Sequence, residues 1–257
     1  MTEQDTTMQA RPDMSPQERD TRVQLAACYR LVSHFGMSDL IYNHITARIP
    51  GTDDHLLINP YGMMYDEITA SSLVKIDLAG NILAPSSTGY GINAAGYVIH
   101  SAVHGARPDV GCVIHTHTRA GMAVSALKCG LLPLTQTAMR FAKIPYHDYE
   151  SVAIDLSERE RLVADLGASE AMILRNHGLL AAGPTIAQAF NTLYWLEMAC
   201  KAQVDALSAN RELCLPAPDV IEKTWHLYQP TTRRPFGELE WPAMLRLMDR
   251  KDPGYRE

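Results

Sequence analysis

Val23, Ala26, Ala27, Leu31 and Phe35 recur at the spacing of one buried helix face. Ser15-Pro16-Gln17-Glu18 opens that helix, with Ser at the N-cap, Pro just inside and Glu three residues past the cap. Gly36 supplies the stop. The period then shortens. Ile45 to Ile49 alternates as a half-buried strand, His55 to Ile58 is a second short strand, and Asn59-Pro60-Tyr61-Gly62 is a turn signal. Leu73–Leu78 and Ile82–Ala84 flank Ala79-Gly80-Asn81 as a hairpin. Helical spacing returns over 92–106 and breaks at Arg107-Pro108-Asp109. Val110 to His117 is an apolar run of strand length, with a helix near Ala120 to Leu127. Ala171–Arg175 and Leu179–Ala182 are strands around Asn176-His177-Gly178, and Thr185 to Gln188 is a capping box that opens a long helix to about Ala206. Strands and helices interleaved in this way predict an α/β or α+β sandwich.

Three segments follow from the pattern. Residues 1–14 are polar and read as a mobile N-terminal arm. Residues 15–207 form the body. Residues 208–257 are Pro-rich and read as an extended C-terminal segment packing on the body or on a neighbouring subunit.

Composition narrows the class. Of 257 residues 46% are hydrophobic, enough for a substantial core. With 23 basic and 29 acidic residues the formal net charge is −6, which argues against nucleic acid as a partner. No apolar run approaches the ~20 residues that span a bilayer, and the polar start carries no apolar segment of a signal peptide. The cysteines (Cys28, Cys112, Cys129, Cys200, Cys214) are odd in number and lack metal spacing, so reduced thiols and a cytoplasmic location are expected.

Histidines carry the chemistry. On a strand His115 and His117 share a face, with Cα atoms ~6.6 Å apart, and two imidazoles so placed either converge on one ion or line a solvated strand face. His177, at the end of another strand and beside a glycine that lets backbone approach closely, is a third ligand candidate. Three His with an open position is the pattern of a catalytic zinc site. His100 and His104 share a helix face, one expected in the core and one in solvent. His34, His44, His55, His147 and His226 have no spacing argument and read as structural.

Several stretches together resemble the class II aldolase/adducin family: Leu57-Ile58-Asn59-Pro60-Tyr61-Gly62, Glu67 to Lys75, Ala106-Arg107-Pro108-Asp109, Val113 to Thr118 and Leu174-Arg175-Asn176-His177-Gly178. The likeness runs from about residue 20 to 207, and Phe236 to Trp241 with Leu245 to Met248 resembles the end of an adducin head. The resemblance implies a three-layer α/β/α sandwich on a mixed, largely antiparallel sheet. It implies a homotetramer with sites between subunits, as in fuculose-phosphate aldolase and ribulose-phosphate epimerase. His115, His117 and His177 match the family's zinc ligands, with Mn²⁺, Co²⁺ or Fe²⁺ as alternatives. Asn43 and Gly62 match its substrate-phosphate pocket, and Tyr61 stands where the aldolases have a phosphate-binding threonine.

The departures shape the expected function. Ala94-Ala95-Gly96 occupies the place of a Ser-Ser-Glu run whose serines hold phosphate and whose glutamate is the base. Thr137 falls near the place of an aldolase tyrosine that acts as acid. The expectation is therefore a divalent-metal lyase that stabilises an enolate, by aldol cleavage or decarboxylation, on an unphosphorylated small carbonyl or hydroxy-acid substrate. His100, Asp148 and a metal-bound hydroxide are the candidate bases. The other reading is a non-catalytic, adducin-like scaffold with a retained metal site. Actin binding is not expected, since no long basic tail is present. Arg140, Tyr146, Asp148 and Tyr149 are placed by analogy near a neighbouring subunit.

Overall fold

The computed structural model describes residues 14–52, 54–150 and 158–257. The arm expected over 1–14 lies, but for Met14, outside the described residues. Among those described, one eight-stranded sheet runs in the order β4-β3-β2-β1-β5-β8-β7-β6. Its strands are β1 (His44–Arg48), β2 (Leu56–Ile58), β3 (Val74–Ile76), β4 (Ile82–Ala84), β5 (Cys112–Thr116), β6 (Tyr146–His147), β7 (Ala171–Leu174) and β8 (Gly178–Gly183). All neighbours pair antiparallel except β6 with β7. The helices are α1 (Pro16–His34), α2 (Ala94–Ala106), α3 (Arg119–Ser125), α4 (Gln136–Met139), α5 (Glu158–Leu166), α6 (Ile186–Ser208), α7 (Pro218–Leu227) and α8 (Trp241–Lys251).

The period of two in the strands builds three layers. Ile45, Ala47, Cys112, Ile114, Leu179 and Ala181 face a core shared with α1, α3, α6 and α8. Val113, Leu180 and Ala182 face the opposite way, toward Ile99 and Val103 of α2 and Leu162 and Leu166 of α5. The α/β sandwich expected from the sequence is thus the observed fold. His44 and Thr46 alternate with Ile45 and Ala47, so they lie on the α2 side, as does His115.

Helix starts follow the local chemistry. Ser15 Oγ accepts from Glu18 N at 3.1 Å, and Thr185 Oγ1 accepts from Gln188 N at 3.2 Å. The first turn of α1 is also tied down by charge. Glu18 accepts from Arg22 Nε at 3.0 Å and Lys75 Nζ at 2.9 Å, and Arg22 donates to Leu73 O at 2.8 Å. Burial raises the Glu18 pKa, but the hydrogen bonds from Lys75 and Arg22 outweigh it and hold the carboxyl below its usual range.

The extended form expected over 208–257 is corrected. Pro218 and Pro242 stand in the first turns of α7 and α8, where a missing N–H costs nothing. Trp241, Met248 and Tyr255 bury themselves in the α1–α6 core. The chain end then hydrogen-bonds to the body, with Ala70 N donating to Tyr255 O at 3.0 Å and Ser71 N to Glu257 O at 2.8 Å. The five cysteines are free, and no described helix is long and apolar enough to cross a membrane.

A candidate metal centre of three histidines

His115 lies on β5, His117 just past its end, and His177 in the turn between β7 and β8. Antiparallel pairing brings the turn to the strand, with Thr116 opposite Leu179. Gly178 permits the approach: a Cβ there would lie 2.3 Å from Thr116 O. Asn176 turns the chain at φ +54°, a conformation asparagine tolerates.

The three Nε2 atoms converge, 2.8 Å apart for His115–His117, 3.2 Å for His115–His177 and 2.9 Å for His117–His177. Three nitrogens on one tetrahedral zinc, with bonds of ~2.0–2.1 Å, would stand about 3.3 Å apart. The outer nitrogens have partners of their own. His115 Nδ1 donates to Leu179 O at 2.9 Å, which leaves its Nε2 with a lone pair turned inward. His117 Nδ1 faces Asp39 Oδ2 at 3.2 Å, the carboxylate–histidine arrangement that orients metal ligands. Burial, then the nearby rings of His177 and His117, push His115 well below the ordinary histidine pKa. Burial and His117 lower His177 to about 4. Three imidazoles whose Nε2 atoms gather this closely fit a divalent metal ion.

Asn43 flanks the triad. Its φ of +70° turns the side chain so that Oδ1 accepts from His117 N at 3.4 Å. Its Nδ2 is buried with no acceptor among the described residues, a donor left for a ligand oxygen. Tyr61 packs 6.3 Å from Tyr42, the neighbour of Asn43, and its N donates to Gly91 O at 2.8 Å. Gly62 faces the ring of Tyr90.

The other sequence candidates part ways. His100 and His104 are both buried, at 0% and 1% exposure, so the expectation that one meets solvent is corrected. His100 Nδ1 and His104 Nε2 each bond Thr46 Oγ1 at 2.8 Å. Asp148 is exposed and shares a small cavity with Tyr149 and His177. Arg140 is buried, bonded to Asn191 Oδ1 at 3.0 Å and Thr192 Oγ1 at 2.8 Å, and Tyr146 OH accepts from Leu131 N at 2.8 Å. Both serve the body of this chain. Thr137 lies half-buried in α4.

Two residues of the centre were not singled out from the sequence. Asp39 sits in a loop outside any periodic element. His44 pairs directly across from His115 and presses its ring on Gly96. A Cβ at 96 would lie 1.8 Å from His44 Nε2. Burial and the neighbouring His117 lower the His44 pKa to about 4, against a hydrogen bond with Asn59 that raises it. The alternation of His44 and Thr46 with Ile45 and Ala47 is a legible signal, but the strand partner is not.

Comparison with known proteins agrees with this fold. The model of the Class II Aldolase and Adducin N-terminal domain matches residues 23–204. The chain belongs to that family. The crystal structure of an aldolase II superfamily protein from Pseudomonas syringae is 51% identical with a TM-score of 0.91, over 95% of this chain and 98% of that one. L-fuculose 1-phosphate aldolase from Glaciozyma antarctica PI12 is 26% identical with a TM-score of 0.81, over 96% and 97%. Alpha-adducin from Rattus norvegicus is 41% identical over 93% of this chain, which spans 34% of that protein.

Proposed function

We propose that the chain is a divalent-metal-dependent lyase that cleaves a C–C bond, by retro-aldol reaction or decarboxylation, in an unphosphorylated small carbonyl or hydroxy-acid substrate. The observation that carries this reading is the convergence of three histidine Nε2 atoms within 3.2 Å, each pair in contact. His115, His117 and His177 would hold the ion, Zn²⁺ foremost, with Mn²⁺, Co²⁺ or Fe²⁺ as alternatives that three imidazoles also accept. A bound divalent ion supplies Lewis-acid stabilisation of negative charge developing on a carbonyl oxygen.

The remaining roles fall to this chain's own groups. Asn43 Nδ2 is free to donate to a substrate oxygen, and Leu179 O and Asp39 hold the ligand rings in orientation. Tyr61 and Gly62 border the substrate space. His100 is fully enclosed and bonded to Thr46, so Asp148, exposed beside His177, is the better placed of the two side-chain candidates. A homotetramer with sites between subunits fits the exposure of Leu40 (62%) and Tyr149 (53%) near the centre, which a neighbouring subunit would cover. A cytoplasmic setting goes with the free thiols.

The likeness to alpha-adducin favours a second reading, a non-catalytic oligomeric scaffold with a retained metal site. Metal analysis of freshly purified protein beside His115→Ala separates the two, followed by turnover assays with aldol, keto-acid and hydroxy-acid panels. The lyase reading expects about one ion per chain, lost in the variant, and metal-dependent turnover. Absence of turnover with every metal and substrate, in an intact oligomer, overturns it in favour of the scaffold.

A further inference from the structure

We infer that the imidazole of His44 stands in the place of a side chain at position 96, and that the centre, left without a carboxylate there, is built for an anionic chelating ligand such as an α-keto or α-hydroxy carboxylate. The inference rests on the metal reading above and deepens it.

The steric half comes from the geometry of α2. Gly96 lies in its first turn, capped by Asn93. A Cβ at 96 would meet His44 Nε2 at 1.8 Å, Cδ2 at 2.4 Å and Cε1 at 2.8 Å, so the ring covers the Cα. That ring cannot swing aside cheaply. It is 4% exposed and packs 5.8 Å from the ring of His100 at 79°. The pairing of His44 with His115 places the two residues side by side on the α2 face of the sheet. An imidazole at 44 and a side chain at 96 therefore compete for one volume beside the metal-binding rings.

The chemical half follows from charge. The groups gathered at the centre are the rings of His115, His117, His177 and His44 and the amide of Asn43. None of these five can carry negative charge, and the carboxyl of Asp148, in the small cavity beside His177, is exposed to solvent. Asp39 meets His117 on its outer nitrogen. A divalent ion held by three neutral nitrogens keeps its two positive charges, and a ligand carboxylate meets them at close range in a partly buried site. A glutamate at 96 would compete with such a ligand; an imidazole there does not.

Two arms test this on the full-length chain. The first is thermal, on metal-free protein. Gly→Ala inside a helix ordinarily stabilises. Here Gly96→Ala is expected to lower the melting temperature in the wild type, and to raise it or leave it unchanged in a His44→Ala background. A rise in the wild type overturns the shared volume. The second arm is ligand binding, with Co²⁺-loaded protein titrated with oxalate and with neutral dihydroxyacetone and followed by the visible cobalt absorption. Oxalate is expected to bind at least about tenfold tighter than dihydroxyacetone, and His44→Ala/Gly96→Glu to lose at least about tenfold of the oxalate affinity with cobalt still bound. Equal oxalate affinity in the double variant, or preference for dihydroxyacetone, overturns the ligand class. Failure to take up Co²⁺ refutes the metal reading and the ligand class with it, and the thermal arm still decides the pairing of His44 with Gly96.

Discussion

Thr46→Val removes a hydroxyl that two buried imidazoles share. Thr46 is 0% exposed, and its Oγ1 lies 2.8 Å from both His100 Nδ1 and His104 Nε2. A hydroxyl carries one proton, so it donates to one ring and accepts from the other. Valine fills the same space and satisfies neither. A buried polar atom stripped of its partner costs about 1–3 kcal/mol. Two such atoms, less about 1 kcal/mol regained by burying a methyl, give a net loss of about 3 kcal/mol. At 2–4 °C per kcal/mol for a chain of this size, the melting temperature should fall by roughly 6–12 °C. Urea unfolding with linear extrapolation measures the loss directly, with Thr46→Ser as control. Serine keeps the hydroxyl and gives up one methyl, so it should cost about 1 kcal/mol. A valine variant within about 0.5 kcal/mol of wild type, or a serine variant worse than valine, refutes the reasoning, because packing rather than hydrogen bonding would then govern the site.

Asp39→Asn should weaken zinc affinity about 10–100-fold, measured by competition with a chromophoric chelator, because it removes the charge behind His117 Nδ1; unchanged affinity would deny Asp39 an orienting role. His104, lowered to about 3 by burial and then by the charge of Arg48, makes the metal-free protein acid-sensitive. The unfolded chain takes up that proton near pH 6.5 and the folded chain only near 3. Its contribution is therefore fully present above about pH 6.5 and lost as pH falls toward 3, by about 2 kcal/mol at pH 5. His104→Gln should flatten the stability–pH slope between pH 4 and 6 by about one proton, and an unaltered slope would contradict the shift. Glu18→Gln replaces the carboxylate that accepts from Arg22 Nε and Nη2, whose guanidinium is 1% exposed, with a neutral amide. It should cost about 3 kcal/mol in urea unfolding, and a loss below about 1 kcal/mol would show that the network contributes little.

The legible parts of the sequence were those fixed by short-range physics. Ser15 and Thr185 announced α1 and α6 because a cap is a local hydrogen bond. His115 and His117 announced a shared face because strand alternation needs no partner. The C-terminal segment misled: its prolines read as an extended chain, yet Pro218 and Pro242 stand in the first turns of helices. The segments α4, α5 and β6 are short, and their apolar positions gain meaning only against α6 and α7, α2, and β7 respectively. His44 was passed over for a similar reason. Its importance lies in the antiparallel pairing with His115 and in the missing side chain at Gly96, fifty-two positions along the chain, and neither relation is encoded in a local period.

The strain gathered around the triad bears on the choice between lyase and scaffold. A protein that needs only a stable folded head gains nothing from Nε2 atoms forced within 3.2 Å of one another, nor from a buried Asn43 amide without an acceptor, nor from Asn43 and Leu40 held at φ +70° and +48°. Each costs free energy: the crowding of three ring nitrogens, an unpaired donor at about 1–3 kcal/mol, and backbone strain of about 1–3 kcal/mol at a leucine. A bound cation relieves the first and a ligand oxygen the second, and the strained loop is the one that carries Asp39 to His117. The costs thus fall around one point in the fold and share one remedy, which is the arrangement expected where structure has been traded for chemistry. A scaffold with a relict site would be more stable once these residues were replaced. Removing His115, His117 and His177 together, as Gln or Asn, should therefore stabilise the metal-free chain while abolishing metal uptake; a loss of stability in that variant would mean the triad serves the fold itself.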